Sequence, residues 1–380
     1  MAKRRRTSLV RAGVGTDPAY GSVMPPIYLS STFQIDGLDK RGNYEYSRTR
    51  NPTRDELSTA LAELEGGIGC AVTSSGMGAL TLILHLLGPD DLVFAPYDCY
   101  GRSYWLFRAL AEKKHFKLKF IDTYDNNALD EAFKEKPKMV FVETPSNPVM
   151  RIADIADIAK RTHDAGGLLV CDNTFLSPML QRCLDLGADI AYHSTTKFLN
   201  GHSDVVGGAV IVKDDEELMQ ELHLWNNSLG TIGSPFDSYM TLRGLRTLEV
   251  RVTRAQGNTE IIADFLNSHD KVETVYYPGL ESHPGHFVAK SQQDGFGAML
   301  SFELKGDLHA FLSKLDIFSL AQSLGGTESL INHPASMTHV SMGAEARAKA
   351  GVTDNLLRLS IGIEHIDDLI GDLEEALKAA

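Results

Sequence analysis

Cysteine is scarce in this chain: four in 380 residues, Cys70, Cys99, Cys171 and Cys183, with no C-x-x-C pair among them. That excludes a disulfide-stapled scaffold. Thiols inside apolar runs such as "LLVCDN" and "GCAV" read instead as reduced core positions of a cytoplasmic protein. Long apolar runs are missing too. The longest, "GALTLILHLLG", falls well short of the ~18 residues a spanning helix needs, so no membrane partner is expected. Positive charge is outweighed, with 37 Lys and Arg against 50 Asp and Glu for a net charge of −13. Such a balance argues against nucleic acid or an anionic membrane surface as the main partner. The "KRRR" near the start is followed by "TSLVRAGVGTDPAYGS" without an apolar h-region, and reads as a frayed basic start rather than a targeting signal. Neither G-x-x-x-x-G-K nor G-x-G-x-x-G occurs, so nucleotide readings lose their usual anchor. The histidines of "ESHPGH" and "NHPASMTH" have no carboxylate or cysteine cluster beside them. Loop and core roles are expected for them, and no metal.

What is present is an ordinary globular composition, 43% hydrophobic and 23% charged, long enough for one large domain and a smaller one. From about residue 69, short β-rich runs alternate with helical patterns. "CAVTSS", "LVFAPY", "LKFID", "MVFVET", "LLVCDN", "IAYHS" and "GGAVIV" are apolar without alternation, the pattern of strands buried on both faces of a mostly parallel sheet. Helical stretches such as "IADIADIAKRTHDAG" supply the crossovers. These elements predict a doubly wound α/β domain over residues 61–254. A long helical pattern, "SYMTLRGLRTLEVRVTRAQGNTEIIADFLNS", leads into an α+β domain over 255–380. There "VETVYY", "GAMLSFEL" and "LLRLSI" read as strands, and "HIDDLIGDLEEALKAA" closes as an amphipathic helix. Residues 1–60 carry no periodic core signal and read as an extended arm packed on something other than its own domain.

Ligand groups in open parallel sheets collect at the carboxyl ends of strands. Two polar sets lie at such ends: Asp172 and Thr174 after "LLVC", and Ser194, Thr196 and Lys197 after "IAYH". A lone lysine at a strand end is most often a solvated loop residue. A carboxylate 25 residues before it, at the end of a neighbouring strand, changes the balance. That pairing suits a pyridoxal phosphate site, where the amine forms a Schiff base with the aldehyde and the carboxylate keeps the pyridine nitrogen protonated. The hydroxyls beside Lys197 would hold the phosphate, joined by backbone N–H groups where Gly76 and Met77 open a helix in "SSGMGAL".

The motifs "YEYSRTRNPTR", "SSGMGA", "DCYG", "ETPSNP", "DNTF", "HSTTKFLNGHSDVVGG", "LRGLRTL", "SLGG", "MTH" and "LLRLSIGIE", in order over nearly the whole chain, resemble the Cys/Met-metabolism family of pyridoxal-phosphate enzymes. The resemblance implies fold type I and a homotetramer built from two active dimers. It makes Lys197 the Schiff-base lysine, Asp172 the pyridinium partner and Tyr100 the tyrosine stacked on the ring. Ser194, Thr196, Thr174 and the Gly76 and Met77 amides fall among the cofactor ligands. Tyr46 and Arg48 resemble the pair that reaches the phosphate from the adjacent subunit. Asn147 and Arg358 resemble the holders of the substrate α-carboxylate, a task suited to the planar guanidinium fork. Ser323, Gln322 and Trp105 complete the substrate-binding set.

The implied activity is γ-replacement of an O-acyl-L-homoserine, O-succinylhomoserine first, by L-cysteine to give cystathionine in methionine biosynthesis. The γ- and β-lyase branches of the family are the alternatives. Departures bear on that choice: Gln322 stands where the synthase pattern has a glutamate, and Thr49 and Trp105 where it has arginines, with Arg50 and Arg102 nearby to stand in. A nicotinamide oxidoreductase on a similar sheet is disfavoured by the missing glycine fingerprint. A non-catalytic binding protein is disfavoured by the presence of both Lys197 and Asp172.

Overall fold

The computed structural model describes residues 4–40 and 42–380. Seven strands form the larger sheet: β1 (Gly69–Thr73), β2 (Leu92–Pro96), β3 (Lys117–Ile121), β4 (Met139–Glu143), β5 (Leu168–Asp172), β6 (Ile190–His193) and β7 (Gly208–Val212). Their order is β1-β7-β6-β5-β4-β2-β3. All seven coincide with the apolar runs that predicted them. Pairing from β3 through β6 is parallel, while β7 runs antiparallel to both β6 and β1. Successive residues of one strand enter different cores: Leu169 and Cys171 pack on one side of the sheet, Val170 on the other. Burial on both faces is the reason these strands read as continuous apolar runs.

Two helices lie in the segment whose sequence carries no periodic core signal. Helix α1 (Arg5–Arg11) buries Leu9, and α2 (Pro52–Glu65) buries Leu57, Leu61 and Leu64, all in the core beneath the large sheet. The start of α2 is locally encoded. The Asn51 side chain accepts the Thr53 and Arg54 N–H groups at 3.0 and 3.3 Å, Pro52 fills the first turn, and Gly66 ends the helix at φ +82°. Two further helices open toward the centre of the molecule, α3 (Gly76–Leu84) after β1 and α4 (Gly101–Glu112) after β2.

The second sheet has five strands in the order β10-β11-β12-β9-β8: β8 (Val272–Tyr276), β9 (Met299–Leu304), β10 (Ser319–Leu320), β11 (Leu330–Asn332) and β12 (Leu356–Ser360). The helix Ile366–Ala379 packs against it through Leu369, Leu373 and Leu377. The long helical pattern before this sheet is two helices, Pro235–Leu245 and Leu248–Asn267. At the break, the Gly244 carbonyl is taken out of the helical ladder by Thr247 and by the buried Arg251 guanidinium at 2.9 Å. Only glycine fits at 244, since a Cβ there would lie 2.2 Å from the Asn200 carbonyl oxygen.

Candidate active site

A cavity of about 320 Å³ lies at the carboxyl ends of β4, β5 and β6, closed by α3, α4 and the loop before β11. Strands β5 and β6 are adjacent and parallel, with Asp172 in register with Tyr192. That places the two polar sets expected from the sequence side by side.

Lys197 follows β6 in a tight turn, and its Nζ donates to Ser323 Oγ at 2.7 Å. Burial first, and the Arg358 guanidinium second, lower the amine to about 8. About a tenth of such an amine is neutral at pH 7, which readies it as a nucleophile and base. Ser323 sits at φ +91°, a left-handed conformation that a serine adopts at a cost. Asp172 lines the same cavity. Its carboxylate accepts the Thr174 N–H at 3.0 Å and is bonded by the Thr174 and Tyr192 hydroxyls, while burial raises its pKa above the usual carboxylate range.

Gly76 and Met77 form the first turn of α3 and line the cavity with Ser194 and Thr196. A Cβ on Gly76 would lie 2.7 Å from Ser194 Cβ, so glycine is what lets the helix N-terminus approach this turn. The Ser194 N–H donates to Thr174 Oγ1 at 2.9 Å, and Thr196 Oγ1 accepts the Gly207 N–H at 3.0 Å. Hydroxyls and a helix N-terminus converging on one corner make an anion site.

Arg358 of β12 lines the cavity beside Ser323 and is 2% exposed. Its Nη1 donates to Asn147 Oδ1 at 2.8 Å and its Nη2 to the Ser323 carbonyl at 2.9 Å, while Nε is buried without a partner. Burial lowers this guanidinium to about 10, so it remains a cation. Asn147 is held in turn, its carbonyl facing His339 Nε2 at 3.0 Å. Burial lowers His339 to about 4, which keeps the ring neutral. Gln322 also lines the cavity.

Three residues of the expected set lie elsewhere. Trp105 is exposed on α4, where Tyr100 and Ser103 are the residues facing the cavity. Tyr46 and Arg48 lie outside the cavity of their own chain; Arg48 stacks over the Tyr46 ring at 5.6 Å and donates to Asn227 Oδ1 at 3.2 Å. Arg50 is occupied by Asp55 at 2.8 Å.

The structure adds residues that sequence reasoning did not single out. Glu143, Tyr192, Ser75, Phe175 and Thr338 line the cavity. Behind its floor, buried Glu65 Oε1 meets His193 Nε2 at 2.5 Å and accepts Asn173 Nδ2 at 2.8 Å. The end of α2 thereby ties together the residues adjoining Asp172 and the Lys197 turn. Among the described residues, no group of three or more His, Cys, Asp or Glu is placed to hold a metal, and no helix is long and apolar enough to cross a membrane.

A half-buried amine of lowered pKa, a half-buried carboxylate lining the same space, an anion corner and a buried guanidinium define a site for amino-acid chemistry on a carbonyl cofactor. A model of the Cys/Met metabolism PLP-dependent enzymes matches residues 6–378, and the chain belongs to that family. It is thus a PLP-dependent enzyme of fold type I, α/β in architecture. The cystathionine γ-synthase of Escherichia coli strain K12 is 51% identical over all of this chain and 99% of its own length. The cystathionine β-lyase of Coxiella burnetii is 47% identical over 98% of this chain and 97% of its own. A crystal structure of the cystathionine γ-synthase from Xanthomonas oryzae pv. oryzae, in complex with aminoacrylate and cysteine, superposes with a TM-score of 0.98 at 54% identity, covering 100% of this chain and 99% of that one.

Proposed function

We propose that the protein is a cystathionine γ-synthase, replacing the succinyloxy group on Cγ of O-succinyl-L-homoserine with the sulfur of L-cysteine, whose thiol proton leaves with the carboxylate. The C–O bond at Cγ breaks, a C–S bond forms in its place, and succinate leaves. The observation that carries this reading is the cavity lined together by Lys197, Asp172 and Arg358, the last with an unpartnered Nε. The residues present fit the cofactor: an amine within reach of neutrality, a half-buried carboxylate, and a glycine that opens a helix N-terminus to an anion.

When bound, PLP supplies an aldehyde for the amine and a ring that draws charge away from Cα. In this assignment Lys197 would anchor it, and its freed Nζ would take the Cα proton, take a Cβ proton as the γ-substituent leaves, and return protons at Cβ and Cα once sulfur has added at Cγ. Asp172 would hold the proton on the ring nitrogen, and Tyr100 would contact the ring. Ser194, Thr196, Thr174 and the Gly76 and Met77 amides hold the phosphate side. Arg358, oriented by Asn147, takes the substrate α-carboxylate, and Ser323 keeps the resting lysine amine directed into the cavity. Gln322 meets the distal end of the substrate.

The assembly is a cytoplasmic homotetramer of two active dimers, in which Tyr46 and Arg48 complete the neighbouring subunit's site. The chain divides into an arm (1–60), a PLP-binding domain (61–254) and a C-terminal domain (255–380). Exposure of the arm, and the position of Tyr46 and Arg48 outside their own cavity, support this arrangement.

The deciding experiment is product analysis with O-succinylhomoserine plus cysteine, against cystathionine alone. Cystathionine from the first mixture is the expected outcome. A lyase is the second reading, favoured by Gln322, Thr49 and Trp105. Pyruvate and homocysteine from cystathionine without synthesis would identify a β-lyase, and 2-oxobutyrate a γ-lyase.

A further inference from the structure

One carboxyl in the cavity wall has no part in the chemistry above. Glu143 ends β4 as Asp172 ends β5, the two are register partners, and both line the cavity. Paired residues of adjacent strands lie about 4.8 Å apart with side chains on the same face. Two carboxyls so placed and out of water do not both ionise. Asp172 is the better-supported anion, bonded by the Thr174 N–H and by the Thr174 and Tyr192 hydroxyls.

Glu143 is 6% exposed and faces carboxylates on two sides, Asp172 and Asp98. Cys99, Tyr192 and Tyr124 are its other titratable neighbours, and Arg358 is the cation that feels its charge. Among the described residues, no Lys, Arg or His is recorded within ion-pair distance of it. Burial first, then Asp172, raise Glu143 well above the usual carboxylate range. Glu143 accepts the backbone N–H of Tyr100, at 2.9 Å, and that of Asn147, two bonds that oppose the rise without cancelling it. Tyr100 is the N-cap of α4, and its own side chain makes no capping bond.

We propose that Glu143 is a positioning residue held as the neutral acid. Its carboxyl oxygen fixes the start of α4, and so the Tyr100 ring, over the cavity, and its retained proton leaves Asp172 as the single anion of the pair. This rests on the assignment of Tyr100 and Asp172 to the cofactor ring.

The test uses the full-length holoenzyme with Glu143→Gln and Glu143→Ala, reading the pH titration of the visible cofactor band, cofactor loss on dialysis, and KM apart from kcat. Gln is neutral and keeps the accepting oxygen. Its band should titrate at an unchanged midpoint, with kcat and KM within about twofold of the parent. Ala removes a buried acceptor; KM should rise about tenfold with a smaller change in kcat, and cofactor should dialyse away faster. A shifted midpoint in Glu143→Gln would show that the residue is charged, and an Ala variant matching the parent would remove the positioning role. Should Ala fail to fold, judged by circular dichroism, the Gln titration still decides the protonation state. An Asp172→Asn control that leaves the band titration untouched would instead overturn the ring-partner assignment, separately from Glu143.

Discussion

The floor of the cavity and the N-terminal arm are built on opposite terms. Between Asp172 and Lys197 every side chain but that of Asp185 is buried or half-buried within its own chain, on two paired parallel strands. Between residues 18 and 50 the chain exposes large apolar side chains, Tyr20 at 94% and Leu38 at 98% among them. Isolated exposed apolar residues are common, but a run of them beside Tyr46 and Arg48 has the character of a surface awaiting cover. The floor is a complete object in one chain. The stretch between residues 18 and 50 leaves much of its apolar surface open in one chain, and on the proposed assembly it would be covered by a second copy.

Three substitutions probe that contrast, and the largest effect belongs to the floor. Lys197→Ala removes the anchor and the base together. Turnover should fall by at least about 10³-fold, in line with loss of a positioned general base. The visible band of the lysine-bound cofactor should vanish, checked by absorption of the purified protein. An active variant with an unchanged spectrum would move the chemistry off this lysine.

The arm predicts an effect of a different kind, visible only in mixtures. Arg48→Ala and Lys197→Ala should each be impaired alone. Unfolded together and reassembled, a random mixture forms hetero-dimers in which one of two sites is intact, so about a quarter of all sites should work. Recovery near that level, in hetero-oligomers verified by differential tags, would establish sharing across subunits. Absence of recovery would mean that Arg48 serves its own chain, where it is bonded to Asn227.

The same contrast separates what was legible in the sequence from what was not. The seven large-sheet strands were readable because double-sided burial leaves continuous apolar runs. Strands β10 and β11, two and three residues long, carry too few positions to show any period. Lys197 and Asp172 stand out as polar residues at the ends of apolar strands. Tyr192 and Glu143 did not, because an aromatic within "IAYHS" and an acid closing "MVFVE" are ordinary strand residues until pairing shows what they face. The helical break at 246 was hidden because the contacts around it are tertiary: buried Arg251 bonds the Gly244 carbonyl and that of Phe198, and Gly244 packs where a Cβ would meet Asn200. Leu9 and Leu57 escaped for a related reason, since each reaches a core made almost wholly by later residues. Trp105, near Tyr100 in sequence, is exposed on α4 and lies outside the cavity of its own chain.

The smallest expected effect concerns the cavity mouth, where neither description holds fully. Gln322 is exposed yet lines the cavity, next to the strained Ser323 that receives the Lys197 amine. A neutral amide there accepts a hydrogen bond from a distal ammonium, as in cystathionine, without adding charge. Gln322→Glu supplies that charge at nearly the same size. A charge-assisted hydrogen bond contributes about 1.5–3 kcal/mol when sheltered. Solvent at an exposed position reduces this to about 1 kcal/mol, roughly a fivefold change in a rate ratio. The substitution should therefore raise kcat/KM for cystathionine lysis about fivefold relative to that for O-succinylhomoserine, mostly through KM, because the contact lies far from the bonds that change. The distal carboxylate of the succinyl group would meet repulsion from the same glutamate, which pushes the ratio in the same direction. Steady-state kinetics with both substrates measure it directly, and an unchanged ratio would place substrate selection on the arm and on α4 rather than on the loop that carries Gln322.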